Sequence, residues 1–325
     1  MGAPRRPVSA DTVHDVVLIN PLGGALHHYT RQLLQTLQSS ELQVRALELY
    51  EPSISGGSRV KWLRDYVAAL LSVRGSSARV LVTWPVLGHI DRLLVPLLTG
   101  DRRGAVIMHD PRPLVRAVGY GPIATWLAKR VADSGTFLVH SVLAQKELLA
   151  QGVRADVVPH PIIASAIPRR VSGTPIIRVL GQWKPDRDLN LLTALAELLP
   201  EVTLEIVGRG WPSVRGWNVR DEFVSEDELD SLIATSSAVL IPYRRYYQSG
   251  IAARSLEMAV PVVGRRLELE PMTGASYPYL VETPDLSDWA DRVKAAVTSE
   301  QTTLERVRRE VAGRALESWQ TWGRS

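Results

Sequence analysis

VLGQWKPDRDLNLL, residues 179–192, is the stretch of sequence that decides the fold. Its first residues end a short apolar run over residues 176–180, and its last residues begin a segment of helically spaced leucines over residues 189–199. Between the two lies a turn that contains Gly181, Lys184 and Arg187. An apolar run, a glycine turn and a helix together predict a βα unit, which is the building block of a parallel sheet.

The same alternation of short apolar runs and helical segments continues on both sides of this stretch. Toward the carboxyl end, the pattern predicts strands at residues 203–207, 238–241 and 261–263, and helices at 225–235, 250–258 and 303–319. Toward the amino end, it predicts strands at residues 16–20, 44–49, 80–83, 105–109, 136–140 and 156–159, and helices at 27–38, 62–73 and 123–133. Residues 163–173 are irregular and form the predicted linker. The sequence therefore predicts two doubly wound α/β halves, with a ligand site between them at the carboxyl ends of the strands.

Length and composition limit the class of protein. A chain of 325 residues exceeds the size at which one hydrophobic core keeps growing, so two domains are expected. The absence of cysteine excludes disulfides, cysteine–zinc sites and thiol nucleophiles. The longest apolar runs, such as residues 67–73, are far shorter than the roughly 20 residues of a membrane span. Arg5, Arg6 and Pro7 are not followed by the apolar core of a signal peptide, so a cytoplasmic protein is expected.

The formal charge of +4, from 38 basic and 34 acidic residues, favours an anionic partner. Nucleotides, phospholipid surfaces and nucleic acids are all anionic. Nucleic-acid binding calls for a dense basic stripe interleaved with aromatic residues, and the sequence has none. A peripheral contact with the inner membrane face stays open, and a solvated arginine-rich surface is the simpler interpretation.

The turn after the first predicted strand is a candidate binding loop. Gly23 and Gly24 lie there, and paired glycines let backbone amides approach a phosphate or a sugar closely. The spacing is not that of the G-x-G-x-x-G dinucleotide motif, so a simple strand–helix turn is an equal alternative. His27 and His28 follow at once, and one of them is expected to face the cleft.

A second candidate lies at the end of the run over residues 105–109, where His109 and Asp110 follow each other. A polar pair at the carboxyl end of a parallel strand opens into the crevice of an α/β fold. There His109 can bond a sugar hydroxyl or transfer a proton near neutral pH. A capping His–Asp turn is the alternative.

The remaining candidates lie in the second half. Lys184 and Arg187 can clamp a diphosphate from the loop that enters the helix. Gly208 ends the strand over residues 203–207 in a glycine turn, which is a weak signal by itself. Ser249 and Gly250 begin a helix whose free amides form an anion site, although an ordinary N-cap serine needs no ligand.

Taken in order, these motifs resemble the GT-B glycosyltransferases that use nucleotide-diphosphate sugars, and in particular the mostly retaining, metal-independent branch called glycosyl transferases group 1. The resemblance covers nearly the whole chain. It is carried by GG-x-x-x-H at 23–28, IMHDP at 107–111, VHS at 139–141, VVPHP at 157–161, VLGQWKPDRDLNLL at 179–192, LEIVGRG at 204–210, FVSEDEL at 223–229, AVLIPY at 238–243, and SG with PVV at 249–263.

The resemblance implies a GT-B fold with two Rossmann-like domains and a cleft between them. The domains are an acceptor-binding domain over residues 1–165 and a donor-binding domain over 166–302, followed by a C-terminal helix over 303–325. That helix, with Trp319 and Trp322, is expected to return to the first domain. The acceptor is expected near residues 23–29, 84–89 and 110–120, which include His27, His28, Trp84 and Asp110.

The resemblance also implies roles for single residues. Gly23 and Gly24 would approach the donor phosphate, and His109 would contact the transferring sugar. Arg187 stands at the family's lysine position and would neutralise the leaving diphosphate, with Lys184 beside it. The remaining residues of the donor set that the resemblance implies are Gly208, Ser249, Gly250, Arg254 and Glu257.

Two departures from the family pattern concern the donor site. Gln182 replaces an arginine, so one cation is missing or relocated. The family's paired glutamates fall on Tyr246 and Arg254, which leaves Glu257 to hold the ribose if the helix register shifts, and Arg254 to bind phosphate. The stereochemical outcome depends on these positions.

The sequence therefore predicts a glycosyltransferase that moves a sugar from a nucleotide-diphosphate donor to an unidentified glycan, lipid-linked or small-molecule acceptor. No cofactor and no metal are expected, because side chains with helix dipoles would stabilise the leaving group. The alternatives are a GT-B nucleotide-sugar 2-epimerase, which usually carries more carboxylates, and a non-catalytic sugar-nucleotide-binding partner subunit.

Overall fold

The computed structural model describes residues 15–52, 56–113, 117–130, 135–164, 169–170 and 173–324. Arg5, Arg6 and Pro7 lie outside the described residues, as do parts of the predicted linker over 163–173 and of the predicted helix over 123–133. In the described part of the chain, no helix is both long enough and apolar enough to cross a membrane.

The first half of the chain is built on a parallel six-stranded sheet. Its strands are β1 (Val16–Asn20), β2 (Val44–Glu48), β3 (Arg79–Val82), β4 (Ala105–Ile107), β5 (Thr136–Val139) and β6 (Ala155–Val157). They are arranged in the order β2-β1-β3-β4-β5-β6. The sequence VVLIN of β1 is wholly buried because Val17 and Ile19 face one hydrophobic cluster while Val16 and Leu18 face another. Burial on both faces explains why this strand is a continuous apolar run.

Helices cover both faces of this sheet. They are α1 (His27–Ser39), α2 (Arg59–Ser72), α3 (Asp91–Thr99), α4 (Pro122–Arg130) and α5 (Val142–Ala150). Residues of α2 to α5 pack in one cluster on one face, and residues of α1 pack on the other face. This arrangement follows from the strand order, because the chain moves from β1 to β2 in one direction and from β2 to β6 in the other.

The second half repeats the architecture with a second parallel six-stranded sheet. Its strands are β7 (Ile176–Leu180), β8 (Thr203–Val207), β9 (Asn218–Arg220), β10 (Ala238–Leu240), β11 (Val262–Arg265) and β12 (Leu280–Val281), in the order β12-β11-β10-β7-β8-β9. Its helices are α6 (Leu189–Leu198), α7 (Glu226–Ala234), α8 (Gly250–Glu257), α9 (Arg266–Thr273) and α10 (Leu286–Val297). The prediction of two doubly wound α/β halves is confirmed.

A final helix, α11 (Gln301–Arg324), spans the two halves. Its first turns place Leu304 and Val307 in the core of the second half. Its last turns place Trp319 and Trp322 in the core of the first half, beside α1. Trp319 is fully buried, and its indole nitrogen donates to Pro159 O at 3.0 Å.

The strand order sets where a ligand can bind. In each sheet the order reverses once, between β1 and β3 in the first and between β7 and β10 in the second. Loops that leave neighbouring strands at such a point diverge and open a crevice at the carboxyl ends of the strands. In the second sheet these two loops are joined by an antiparallel bridge between Arg187 and Tyr243.

Candidate active site

The loops at the two reversal points line a single cleft of about 650 Å³. From the first half it is lined by the loops after β1, β3 and β4, which contribute Gly24, Trp84 and His109. From the second half it is lined by the loop after β7, the loop after β10 and the first turn of α8. The cleft is therefore the place where residues from both halves meet.

His109 forms hydrogen bonds to both halves through its two ring nitrogens. Its Nε2 lies 2.8 Å from Thr83 O, and a carbonyl can only accept, so Nε2 carries the proton. Its Nδ1 then accepts from the side-chain amide of Gln248 in the second half. Burial lowers the pKa of His109 to about 4. The side chain is therefore neutral near pH 7, where it can bond a hydroxyl but is a weak base.

His109 belongs to a buried group that we call the histidine cluster, formed by His109, His140 and His160 around Tyr29. The Tyr29 ring centroid lies 4.7 Å from that of His109 and 5.2 Å from that of His160. Tyr29 Oη donates to His140 Nε2 at 2.8 Å, because His140 Nδ1 donates to Val158 O. Burial lowers the pKa of His160 to about 3 and that of His140 well below its usual value. Tyr29, His109 and His160 line the cleft.

Trp84 and Asp110 complete this wall of the cleft. The Trp84 ring stacks on His109, with ring centroids 5.2 Å apart and ring planes 20° apart. Asp110 is half-buried, and its Oδ1 accepts from the backbone amide of Arg112 at 3.2 Å. An indole face beside a carboxylate suits the apolar face and the hydroxyls of a sugar.

The predicted residues of the first loop separate into two groups. Gly24 and His28 line the cleft, whereas Gly23 and His27 do not. The amide of Gly23 donates to Leu49 O at 2.7 Å, and a Cβ there would meet the same oxygen at 3.0 Å. Gly23 is thus explained by close backbone packing rather than by a free amide, and His27 is an exposed residue of α1.

Glu257 lies at the end of α8 and is bound on both carboxylate oxygens by residues of the first half and of the linker. Its Oε1 accepts from Gln32 Nε2 at 2.5 Å and from the Ile163 amide at 3.0 Å. Its Oε2 accepts from His28 Nε2 at 2.9 Å, since His28 Nδ1 accepts from Arg31. Glu257 is 2% exposed and does not line the cleft. In this geometry it ties the two halves together and has no free oxygen for a ribose.

Arg254 and Arg187 line the cleft, but both are already paired with carboxylates. Arg254 is buried between Glu226 and Asp230, to which it donates from Nη1 at 2.5 Å and from Nε. Arg187 Nη1 lies 3.0 Å from both oxygens of Asp186. The Arg187 guanidinium also stacks 3.4 Å from the Tyr243 ring centroid. An incoming diphosphate would have to compete with these partners.

Two other cations of the cleft are not paired in this way. Lys184 is exposed, and Arg245 is half-buried, donating from Nη2 to Arg112 O at 3.0 Å across the cleft. Within the described ranges, neither forms an ion pair with a carboxylate. Sequence reasoning missed Arg245, because the adjacent pair Arg244 and Arg245 gives no sign of which one faces the cleft. In the structure, Arg244 turns away and pairs with Asp188.

The start of α8 supplies backbone donors beside these cations. Ser249 caps the helix, and its Oγ accepts from the Ala252 amide at 3.2 Å. Gly250 is exposed, and a Cβ there would meet nothing within 4 Å. Ser249 and Gly250 both line the cleft. The first-turn amides that the cap leaves free can therefore bind an anion.

Gly208 was expected in the donor site and Gln182 stands where the family pattern has an arginine. Gly208 has φ +152°, and a Cβ there would lie 2.2 Å from Gly181 O. It does not line the cleft, so its role is to let β8 end against the Gly181 loop. Gln182 lines the cleft, and its carbonyl accepts from Arg187 at 3.4 Å.

A second cavity, of about 710 Å³, lies within the second half around Arg244, Arg265 and Arg266. Each of these arginines is paired with a carboxylate: Asp188, Glu268 and Glu282, respectively. This cavity lacks residues of the first half and has its cations already neutralised. The cleft between the halves is the better candidate for a site that binds an anionic ligand.

No protein-family model and no curated protein matches this sequence. Solved structures do match the fold. AviGT4, a glycosyltransferase involved in Avilamycin A biosynthesis, superposes with a TM-score of 0.62 at 14% identity, covering 95% of this chain and 97% of that chain. A UDP-forming trehalose-phosphate synthase from Burkholderia xenovorans gives a TM-score of 0.60 at 11% identity, with 96% and 97% covered.

A third match is S. aureus TarM, a variant of which was solved with Fondaparinux, alpha-GlcNAc-glycerol and UDP. Its TM-score is 0.58 at 13% identity, and the match covers 81% of this chain but only 58% of that longer chain. Identities this low show the fold alone. The GT-B fold that the sequence motifs predicted is confirmed by the two parallel sheets and by these matches.

Proposed function

We propose that this chain is a glycosyltransferase that moves a sugar from a nucleotide-diphosphate donor to an acceptor bound against the first half. One observation carries the proposal. In a cleft formed by both halves of a GT-B fold, Lys184 and Arg245 face the cavity beside the open start of α8, and no carboxylate pairs with them in the part of the chain that the structure describes. Two such cations and a helix N-terminus suit a diphosphate.

The diphosphate is the group whose charge changes most in this reaction. When the bond from the anomeric carbon to the phosphate oxygen breaks, the electron pair stays on the nucleoside diphosphate. Cations and amides held in place before the reaction stabilise that developing charge without reorganisation. Lys184 and Arg245 would take this role directly. Arg187 would contribute by exchanging its ion pair with Asp186 for one with the diphosphate. The same groups would remove the need for a divalent metal or another cofactor.

The histidine wall would hold the transferring sugar. His109 presents a neutral ring between Thr83 and Gln248, and Trp84 offers an aromatic face beside it. A histidine with a pKa of about 4 is a weak general base near pH 7. Attack from the same face as the leaving diphosphate lets that leaving group accept the acceptor proton. We therefore favour the retaining outcome.

The acceptor would bind near His28, Trp84 and Asp110, which line the cleft from the first half. Closure of the two halves around donor and acceptor would exclude water and limit hydrolysis of the donor.

Turnover tests the proposal. The protein is incubated with a panel of nucleotide sugars, and thermal stabilisation identifies the donor, since a ligand that binds only the folded state raises the Tm. Mass spectrometry of a mixture with candidate acceptors then detects a product heavier by one sugar. Failure of every nucleotide sugar to stabilise the protein would contradict the proposal.

The same experiment separates the alternatives. Conversion of the donor into an isomer of equal mass, resolved by chromatography, would identify a 2-epimerase. Stabilisation with neither transfer nor isomerisation would identify a non-catalytic binding subunit. The variant that tests the diphosphate site is Lys184→Ala, and its matched control is Arg215→Ala. Arg215 is an exposed cation outside the cleft that pairs with Glu197. Only Lys184→Ala is expected to slow transfer.

A further inference from the structure

Helix α4 and the turn before it place large apolar side chains in solvent. Val118 is 71% exposed, Ile123 is 77% exposed and Trp126 is 50% exposed. The residues that α4 buries are the small side chains Ala124 and Ala128. This is the reverse of an ordinary surface helix, which turns its larger apolar residues toward the core. Packing within the chain therefore does not explain these three side chains.

The exposed side chains are held on rigid backbone. Gly119, next to Val118, has φ +81°, and a Cβ there would lie 1.7 Å from Leu87 O. Its carbonyl accepts from the His89 amide at 2.8 Å. The turn is thus pressed against the neighbouring loop, which constrains the backbone beside Val118.

Cations border the apolar residues. Arg112, Lys129 and Arg130 are exposed, and none of them forms an ion pair with a carboxylate in the described ranges. The Arg130 guanidinium lies 4.2 Å from the ring centroid of Trp126. Two carboxylates lie near them: Glu147, which is half-buried in the adjacent groove, and Asp110, whose Oδ1 accepts from the Arg112 amide. The face thus combines apolar side chains with a local excess of positive charge.

We propose that this face, formed by Val118, Ile123, Trp126, Lys129 and Arg130, docks on the surface of an anionic phospholipid bilayer. Tryptophan with arginine or lysine around exposed aliphatic residues is the composition that lies in the headgroup region of a membrane. The net charge of +4 adds attraction to anionic lipids.

The docked face lies next to the cleft. The groove beside α4 has a volume of about 1130 Å³ and is lined by Arg112, Tyr120, Trp126 and Lys129. Arg112 accepts through its carbonyl from Arg245, which lines the cleft. A bilayer at this face would therefore bring lipid headgroups to the edge of the cleft. The docking itself does not depend on the proposed transferase activity.

Co-sedimentation with vesicles tests the docking. The full chain is mixed with vesicles of phosphatidylcholine alone, or of phosphatidylcholine with phosphatidylglycerol, at about physiological ionic strength. We expect binding to the anionic vesicles and little to the neutral ones. Ile123→Glu should weaken binding about tenfold, because a buried aliphatic contact is lost and a charge is added. Arg130→Gln should weaken it about fivefold and flatten its salt dependence.

Val60→Glu is the matched control, because Val60 is 78% exposed on α2 in the same half of the chain. It should bind vesicles as the unmodified chain does, and an unchanged Tm confirms that each variant is folded. Three results would overturn the proposal: no binding to anionic vesicles, equal loss in Val60→Glu and Ile123→Glu, or a dimer in sedimentation velocity that Ile123→Glu dissociates. The last result would assign the face to a second copy of the chain.

Discussion

Replacing Glu257 with alanine tests whether that carboxylate ties the two halves together or serves the donor. The substitution removes the acceptor of three donors: Gln32 Nε2, the Ile163 amide and His28 Nε2. Gln32 is 1% exposed, so water does not readily replace the lost partner there. Each buried donor left without a partner costs about 1–3 kcal/mol. Because His28 is partly open to solvent, the expected loss is about 3–5 kcal/mol.

The glutamine variant refines the test. Glu257→Gln retains an oxygen for Gln32 and Ile163, but it places an amide donor against His28 Nε2, which is itself a donor. One hydrogen bond is lost instead of three, and the two that remain go to a neutral acceptor, for a cost of about 1–2 kcal/mol. The expected order of stability is therefore the unmodified chain, then Glu257→Gln, then Glu257→Ala.

Thermal unfolding followed by circular dichroism measures the effect. An unfolding entropy of roughly 2.1 cal/mol/K per residue gives about 0.7 kcal/mol/K for this chain, so Glu257→Ala should lower the Tm by roughly 4 to 7 °C. Glu310→Ala is the control, since Glu310 is an exposed residue of α11. A Tm for Glu257→Ala equal to that of the control, together with a tenfold weaker donor affinity, would show that Glu257 does not join the two halves. That result would assign Glu257 to the ribose.

Three further predictions concern the packing that supports the cleft. The histidine cluster has pKa values lowered below 6.5, to about 4 for His109 and about 3 for His160, so the unfolded chain binds more protons. The contribution of these histidines to the free energy of unfolding is then fully present above about pH 6.5. It falls toward about pH 4, by up to roughly 1.4 kcal/mol per pH unit for each histidine. Urea midpoints that stay constant over this range would contradict this prediction. Gly208→Ala should cost about 3 kcal/mol or more in urea unfolding because its Cβ meets Gly181 O, whereas Gly313→Ala, in open space on α11, should stabilise slightly. Trp319→Phe should cost about 1–2 kcal/mol by loss of the bond to Pro159 O; an unchanged urea midpoint would show that this bond does not anchor α11.

Most of the fold followed from the sequence because parallel strands are buried on both faces and therefore read as apolar runs. The predicted strands at 16–20, 176–180 and 203–207 have the bounds seen in the structure. The two missed strands lack that signal. β9 is the polar edge sequence Asn-Val-Arg, and β12 has only two residues.

Three of the four missed helices have equally local causes, whereas the fourth, α10, has a clear amphipathic pattern and could have been predicted. α3 contains Pro96 and α9 contains Pro271, and an internal proline ordinarily ends a predicted helix. α5 has apolar residues on several sides and almost no amphipathic pattern. Such helices are recognised only once the sheet that they cover is in place.

The location of the cleft could be predicted, but the pairing of its charges could not. The positions of Arg187 and His109 could be predicted, because each lies after a parallel strand and strand order places such loops at the crevice. That Glu257 is bound by His28 and Gln32, more than two hundred positions away along the chain, depends on how the two halves pack. The choice between Arg244 and Arg245 as the cleft cation depends on the same packing.

The most direct test of the proposed function is the affinity of the cleft for nucleoside diphosphates, measured by isothermal titration calorimetry on a panel of bases. The unmodified chain should bind at least one of them, and the double substitution Lys184→Ala with Arg245→Ala should weaken that binding by at least about tenfold. Arg215→Ala, at an exposed ion pair outside the cleft, should leave it unchanged. Absence of binding to any nucleoside diphosphate, or equal affinity in the double variant, would contradict the assignment of Lys184 and Arg245 to the leaving diphosphate.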